Sequence, residues 1–391
     1  MNNEKKFNSR VIAISAGHFL HDVFSSFLAP MLPLLIEKLG ISLSLAGLLD
    51  VIRRIPSLAN PLIGILADRT DVRYMVIVTP AITGIAMSFI GMSPNYPTLA
   101  ILLFVAGLSA AFFHVPSPVL IRKFSKGKTA QGMGYYMFGG EIARTLGPLL
   151  ITAAISWWGL EGSFRVLPIS LIASVILYIK LGKVKHIKAD RVKSNPADAA
   201  TKQQARKKYI PLFTGISGYL FFSAGMKAFL TLYLVVYLTG KGNSLWVASI
   251  SLSVLQLAGA AGSFFSGHIS NRFRYRGTLL LSSILSPILV LGLFLFSNLT
   301  FLFLILSGLT FFLAPPVMMA VVQEQPTSRP AFLNSIYMTI SFVINAAMVL
   351  LVGVLSDHIG LASTMLTTAI MAFGSIVFVF LIPEKKNLSE V

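Results

Sequence analysis

Charge is spread so unevenly along this chain that short charged breaks leave long apolar runs between them. A run of about 20 apolar residues is what crosses the hydrocarbon core of a bilayer. Of the 391 residues, 55% are hydrophobic and only 12% charged, with a mean hydropathy of +0.78. A soluble domain carries about 25% charged residues. The pattern predicts a polytopic membrane protein and excludes a secreted disulfide scaffold, a soluble enzyme and a nucleic-acid-binding module. Cysteine is absent, which removes disulfides, thiolate nucleophiles and cysteine metal sites.

The breaks define twelve spans, at roughly 11–36, 43–66, 74–93, 98–121, 130–155, 163–182, 210–238, 245–267, 278–297, 300–323, 332–355 and 361–383. Runs of this length without period-two alternation are helices, which satisfy their own backbone in lipid. Lys5, Lys6 and Arg10 precede the first run, as in a leader peptide. That run is nevertheless long and carries His18, His21, Asp22, Pro30 and Pro33, with no small-residue cleavage pattern, so it is expected to be the first span.

The loops fix the orientation. Of 32 Lys and Arg residues, 25 fall on the side of the termini, 3 on the other side and 4 inside spans. The positive-inside rule then places both termini in the cytoplasm, and a bacterial cytoplasmic membrane is the expected location. The net charge of +18 sets topology and calls for no polyanion or nucleic-acid partner. A basic loop divides the chain into an N-terminal six-helix bundle (1–182), a cytoplasmic linker (183–209) and a C-terminal six-helix bundle (210–391). The linker is a solvated tether or a segment lying along an anionic membrane surface.

A repeat links the halves. Gly64-Ile-Leu-Ala-Asp68-Arg69, followed by Arg73, closes the second span, and Gly267-His-Ile-Ser-Asn271-Arg272 closes the eighth. Internal repeats related by a pseudo-two-fold axis are a transporter signature, with the site between the repeats. The Gly-x-Leu-x-Asp-Arg loop resembles the signature of the major facilitator superfamily, although Asp71 and Val72 replace its usual Gly and basic residue. Gly147-Pro148 in span 5 is similar to the antiporter motif of that superfamily's drug exporters. Phe113-His114 with Pro116, Gly139-Gly140 through Leu149, and Gln323-Glu324 with Pro326 look like the fosmidomycin-resistance family. That resemblance implies twelve helices in two six-helix bundles around a central cavity, and drug export driven by proton entry. It also implies a gating role for Gly64, Asp68, Arg69, Arg73, Gly147 and Pro148. Glu324, at the cytoplasmic end of span 10, is a candidate gate contact to Arg122 or a loop cation, or alternatively a solvated charge.

Charges inside spans are costly, roughly 2.5–3.5 kcal/mol each on insertion scales, so they should face one another or water. Asp22 lies near the middle of span 1 with His18 one turn away. It is a candidate proton site or, alternatively, a structural hydrogen bond. Glu141 and Arg144 can pair at i, i+3. They are a second proton carrier beside an anion-binding arginine, or a permanent ion pair. Asp50 can reach Arg53 or Arg54, leaving the other to meet an anionic substrate group; the alternative is snorkelling to the interface. Tyr219, Ser223, Lys227 and Thr231 form a polar stripe on span 7, expected to line the cavity. Asn334, Ser341 and Asn345 form a milder stripe on span 11, and Gln256 sits in mid-span 8. His114 is a candidate coupling or packing histidine.

No phosphate loop, metal-ligand spacing or nucleophile elbow is present, so neither ATP drive nor enzymatic activity nor a bound cofactor or metal is expected. The expectation is a monomeric secondary transporter, powered by the proton gradient, that exports a small anionic or amphipathic compound such as a fosmidomycin-like drug. Proton-coupled uptake of a small organic anion and lysolipid or lipid flipping are the alternatives.

Overall fold

Three residues with left-handed backbone decide how the long helices divide. The structure, a computed structural model, describes residues 9–69, 71–125, 129–183, 202–323, 325, 330–382 and 384. Its described elements are helical throughout. Helices α1 (Ser9–Ser25) and α2 (Leu28–Leu39) form the first span. The second is α3 (Leu43–Arg54), a 3-10 turn over Ile55–Ala59 and α4 (Asn60–Arg69). Then come α5 (Val72–Ser88), α6 (Tyr96–His114) with α7 (Ser117–Phe124), and α8 (Thr129–Gly162) leading to α9 (Leu167–Leu181). The second half has α10 (Lys202–Ala228), a π-helical turn over Phe229–Tyr233, α11 (Leu234–Gly240) and α12 (Leu245–Leu295). It ends with α13 (Thr300–Phe311), α14 (Ala314–Gln323), α15 (Pro330–Ala372) and α16 (Ser375–Val379).

Three of these helices are two segments joined at a turn. The breaks lie at Gly159 (φ 72°), Arg274 (φ 60°) and Gly360 (φ 79°). Glycine enters that region freely, whereas Arg274 does so against its Cβ. Among the described residues, eight continuous segments are long and apolar enough to cross a bilayer. Three of the eight span two predicted segments each. The predicted second span falls outside the eight, and it is the one that carries Asp50, Arg53 and Arg54. Counted in this way, the helices reproduce the twelve predicted segments.

Local sequence explains the starts and stops. Asn95 caps α6, its Oδ1 accepting from Thr98 N (3.0 Å) and Thr98 Oγ1 (2.9 Å). Asp71 caps α5 by accepting from Arg73 N. This gives a physical use to an aspartate where the superfamily usually has glycine. Gly40 (φ 59°) closes α2, its N–H returning to Ile36 O.

The chain forms two compact units. The first comprises Met1–Ile41, Leu48–Val192 and Leu238–Ser253; the second comprises Ser42–Gly47, Lys193–Tyr237 and Val254–Val391. In the first unit α1 packs among α5, α8 and α9. Glycines let α8 approach closely, as is usual where helices pack in lipid. A Cβ on Gly147 would lie 2.6 Å from Val23 O and closer still to Ser26 Oγ. In the second unit α10 packs on α15 and α16 over a core that includes Leu212, Ile216, Val317, Val321 and Val379. The same unit holds the first turn of α3 from two sides. Asp357 accepts from Leu43 N and Ser44 N at 2.8 Å each and also from Ser44 Oγ. Tyr233, in the π-helical turn, places its hydroxyl 3.1 Å from Leu43 O and 3.3 Å from Val349 O.

Candidate functional site

Helical spacing puts His18, His21 and Asp22 on one face of α1, and the fold brings three imidazoles onto one carboxylate. His18 Nε2 lies 3.3 Å from Asp22 Oδ2. His21 Nδ1 lies 3.0 Å and His114 Nε2 3.2 Å from Oδ1. Each ring is anchored at its other nitrogen. His18 Nδ1 meets the backbone oxygen of Tyr136 at 2.6 Å, and His114 Nδ1 meets the Tyr136 hydroxyl at 3.2 Å. His21 Nε2 meets Thr83 Oγ1 at 2.9 Å. Thr83 donates to Ser109 Oγ (2.9 Å), and Ser109 donates to Thr79 O (2.8 Å). His21 also stacks on Phe113 (4.6 Å between centroids) and His18 on Tyr136 (3.9 Å).

The cluster is graded in exposure. His21 and His18 are buried, the Asp22 side chain is 13% exposed and that of His114 is 40% exposed. His114 is therefore the member open to its surroundings. Gly140 makes room for the others: a Cβ there would lie 2.6 Å from His18 Cε1 and 3.3 Å from Asp22 Oδ2. The resemblance motif Gly139-Gly140 thus has a packing cause at the candidate site.

Asp50 is buried and bonds both arginines. Arg53 reaches Oδ1 (2.6 Å from Nη2, 3.2 Å from Nε), and Arg54 reaches Oδ2 (2.7 Å from Nε). Sequence spacing suggested that one arginine would be spent on Asp50 and the other left over. The carboxylate instead serves both, and the trio carries one uncompensated positive charge. Arg54 is the more exposed guanidinium, at 43% against 21%. Arg53 Nη1 also points to Ser25 O, one turn past Asp22 (3.5 Å). Glu141 and Arg144 pair at 2.5 Å, half-exposed, one residue beyond Gly140.

In the second unit the span 7 stripe is spent mostly on its own helix. Tyr219 and Ser223 are buried. The Tyr219 hydroxyl donates to Ser282 Oγ (3.2 Å), Ser223 to Tyr219 O, and Thr231 to the backbone oxygen of Lys227. Lys227 and Thr231 are half-buried. An open apolar groove of about 570 Å³ lies along another face of α10, lined by Phe213, Ser217, Phe221, Phe222, Ile344 and Phe378. Asn345 turns back onto Ser341 O at 2.6 Å, and Gln256 is half-buried.

Of the gating candidates, Arg73 pairs with Asp71 at 2.7 Å and donates to Gly182 O at 3.1 Å, tying the start of α5 to the end of α9. Gly147 and Pro148 sit at the close approach of α8 to α1. Glu324 and the side chains at Gly64, Asp68, Arg69 and Asn334 lie outside the described residues, as do residues 184–201 of the linker. Sequence reasoning paired His18 with Asp22 and named His114 apart from them. It missed their meeting, the third ring at His21, and the Thr83–Ser109 support. The i, i+3, i+4 spacing of His18, His21 and Asp22 was the available signal.

Three comparisons bear on this architecture. The sequence model of the Major Facilitator Superfamily matches residues 14–347. The uncharacterised MFS-type transporter YfnC of Bacillus subtilis (strain 168) is 23% identical over 389 residues, covering 97% of this chain and 94% of that protein. The fosmidomycin resistance protein of Escherichia coli (strain K12) is 19% identical over 379 residues, covering 96% and 93%. Among solved structures, a bacterial homologue of the human lysosomal transporter Spinster, in an inward-facing and unoccupied conformation, matches with a TM-score of 0.82. It is 16% identical and covers 97% of this chain and 98% of that one, a likeness of fold alone.

Proposed function

The chain belongs to the major facilitator superfamily, and from that premise we propose that it couples proton entry to export of a small anionic or amphipathic compound. It is a multi-pass membrane transporter of small molecules, not an enzyme. The observation that supports an anionic substrate is the Asp50 trio. Two guanidiniums share one buried carboxylate, so the first unit offers a positive charge whose Arg54 fork suits carboxylate, phosphate or phosphonate. Arg144, Lys227, Tyr219, Gln256 and Asn345 are the further substrate-contact candidates.

Proton coupling is assigned to Asp22 with His18 and His114, and to Glu141. A carboxylate surrounded by imidazoles changes charge without moving far, and His114 gives it an opening. The gate is assigned to the Gly64–Arg73 loop, to Gly147-Pro148 and to Glu324, in a monomer with cytoplasmic termini and no bound cofactor. Fosmidomycin is the first compound to try, because a relative covering nearly the whole chain is named for resistance to it.

The test uses purified protein in liposomes with an internal pH dye, an imposed proton gradient and fosmidomycin, against Asp22→Asn. Substrate-dependent proton flux that vanishes in the variant supports antiport through Asp22. Flux that survives moves the proton to Glu141. Absence of flux with folded wild type discards the drug. Counterflow of small organic anions and of lysolipids then decides between uptake and lipid movement.

A further inference from the structure

The cluster on α1 has the anatomy of a cation site. His18, Asp22 and His114 each offer a ligand atom, and the three atoms lie within 4.8 Å of one another. His18 Nε2 stands 3.3 Å from Asp22 Oδ2, and His114 Nε2 stands 3.2 Å from Oδ1. A tetrahedral zinc ion with bonds of about 2.0–2.1 Å holds its ligand atoms about 3.3–3.4 Å apart. A cation is therefore accommodated by a small movement of His114, whose side chain is the most exposed of the three.

The outer contacts are of the kind a metal site needs. A ligating imidazole usually gives its other N–H to a carbonyl, a carboxylate or water, which fixes the tautomer. His18 Nδ1 meets the backbone oxygen of Tyr136 at 2.6 Å. A carbonyl only accepts, so the hydrogen is on Nδ1, and a neutral His18 presents a bare Nε2 to Asp22. His114 Nδ1 meets the Tyr136 hydroxyl at 3.2 Å. That hydroxyl accepts through its lone pairs and has Ser117 beside it to take its own hydrogen, since Ser117 donates to Phe113 O. A neutral His114 then presents a bare Nε2 as well. One residue sets both rings, through its two oxygens.

Two bare nitrogens thus face one carboxylate in a largely buried place, an arrangement that favours a positive centre between them. The approach of His18 Nε2 to Oδ2 is a proximity without hydrogen-bond alignment. A shared proton needs that alignment, whereas a cation bonds each atom separately. His21 Nδ1, 3.0 Å from Oδ1, supplies the further contact that ligating carboxylates have.

We propose that His18 Nε2, His114 Nε2 and the Asp22 carboxylate form a binding site for a borderline divalent cation, with Zn²⁺ as the type. Two imidazole nitrogens select Zn²⁺, Co²⁺ or Ni²⁺ over Mg²⁺ and Ca²⁺, which prefer oxygen. Three protein ligands leave a further position for water or an anionic group, and the exposed His114 gives a way in. The ligand atoms must be bare to bind metal, so cation and proton are alternative occupants. The cation is a reversible ligand that excludes a proton from Asp22, not a resident cofactor. No local spacing announces the site, because its third ligand arrives on another helix.

The experiment is isothermal titration calorimetry of the untagged full chain in detergent, with zinc chloride and, in parallel, magnesium chloride. No drug and no proton gradient are present. Wild type is expected to bind one Zn²⁺ and to ignore Mg²⁺ at the same concentration. His114→Ala and Asp22→Asn should each weaken Zn²⁺ binding by more than about 100-fold, the upper end for loss of an outer contact alone. Tyr136→Phe removes only the hydroxyl behind His114 and should weaken it about 10-fold. Replacing both His268 and His358, exposed histidines of the second unit, by Gln should leave the affinity unchanged. Co²⁺ in the site should give the visible absorption of a four-coordinate ion, lost in His114→Ala. Size-exclusion chromatography screens out unfolded variants, and the exposed His114 keeps the test open if Asp22→Asn fails to fold.

No Zn²⁺ binding by wild type, equal affinity for Mg²⁺, or binding that His114→Ala leaves intact in folded protein overturns the proposal. So does binding that disappears with His268 and His358, which would be adventitious surface chelation. The readout needs neither substrate nor gradient, so a failed drug assay does not touch it. Failed metal binding, in turn, leaves proton-coupled export standing.

Discussion

Asp357 caps a helix that begins 314 residues before it: its carboxylate takes the backbone N–H of Ser44 at 2.8 Å, beside that of Leu43. The cap closes orphan donors at the start of α3 and places a negative charge at the positive end of a helix. Replacing Asp357 by Asn removes one of the two acceptor oxygens and the charge at the helix N-terminus, and should lower stability by about 1 kcal/mol. Partial burial pushes the Asp357 carboxyl up, but the hydroxyl and amide of Ser44 and the amide of Leu43 pull it further down, below the usual carboxylate range. A carboxyl depressed in the folded state adds stability above its unfolded value of about 3.9, and the gain is lost as pH falls through the folded value. The melting difference between wild type and Asp357→Asn should be complete at neutral pH and shrink below about pH 4.

Tyr233 holds the same turn through the oxygen of Leu43. Tyr233→Phe should cost about 1 kcal/mol, the net worth of a buried hydrogen bond. A double variant with Asp357→Asn should fall short of, or exceed, the sum by at least about 0.5 kcal/mol, since both residues grip one segment. Strict additivity in denaturant titrations would show that the two contacts are independent.

Gly147 tests the packing of α8 on α1. Ala at this position meets backbone, Val23 O, which cannot swing aside as a side chain would. Gly147→Ala should destabilise by about 1–3 kcal/mol, the cost of overpacking. Thermal unfolding of the detergent-solubilised protein reads it.

The two arginine sites should respond differently. Asp50→Asn leaves two guanidiniums with no counter-charge. It should cost up to about 3 kcal/mol, the low end for a broken buried pair, because Arg54 is 43% exposed. Glu141→Gln breaks a half-exposed pair and should cost about 1 kcal/mol or less. Equal losses in the two melting curves would mean that Asp50 is better solvated than its burial implies.

The architecture was legible because apolar length and loop charge are one-dimensional signals. Turns at Gly159, Arg274 and Gly360 lie where the predicted spans separate. The candidate site was half legible. Pairing within a helix follows from spacing, so Glu141–Arg144 and the grip of Asp50 on its neighbours could be anticipated. That Asp50 would serve both arginines could not, since spacing allows either. Nor could the convergence of His114 on Asp22, or the tie from Asp357 to Ser44. Each depends on which faces of distant helices meet. The span 7 stripe is read from spacing as a cavity face, but spacing does not name the partners of Tyr219 and Ser223, which spend their hydroxyls on Ser282 and on their own helix.

The hydroxyl chain behind His21 ends on a carbonyl oxygen of α5. A proton wire works only if each hydroxyl can reverse after passing its hydrogen on, and a chain pinned at an acceptor that never donates cannot reverse. Thr83 and Ser109 therefore act as an insulator at the back of the cluster. On the proton-coupled reading, Asp22 is charged and discharged from the side where it and His114 are exposed, and the compartment on that side sets its state of charge.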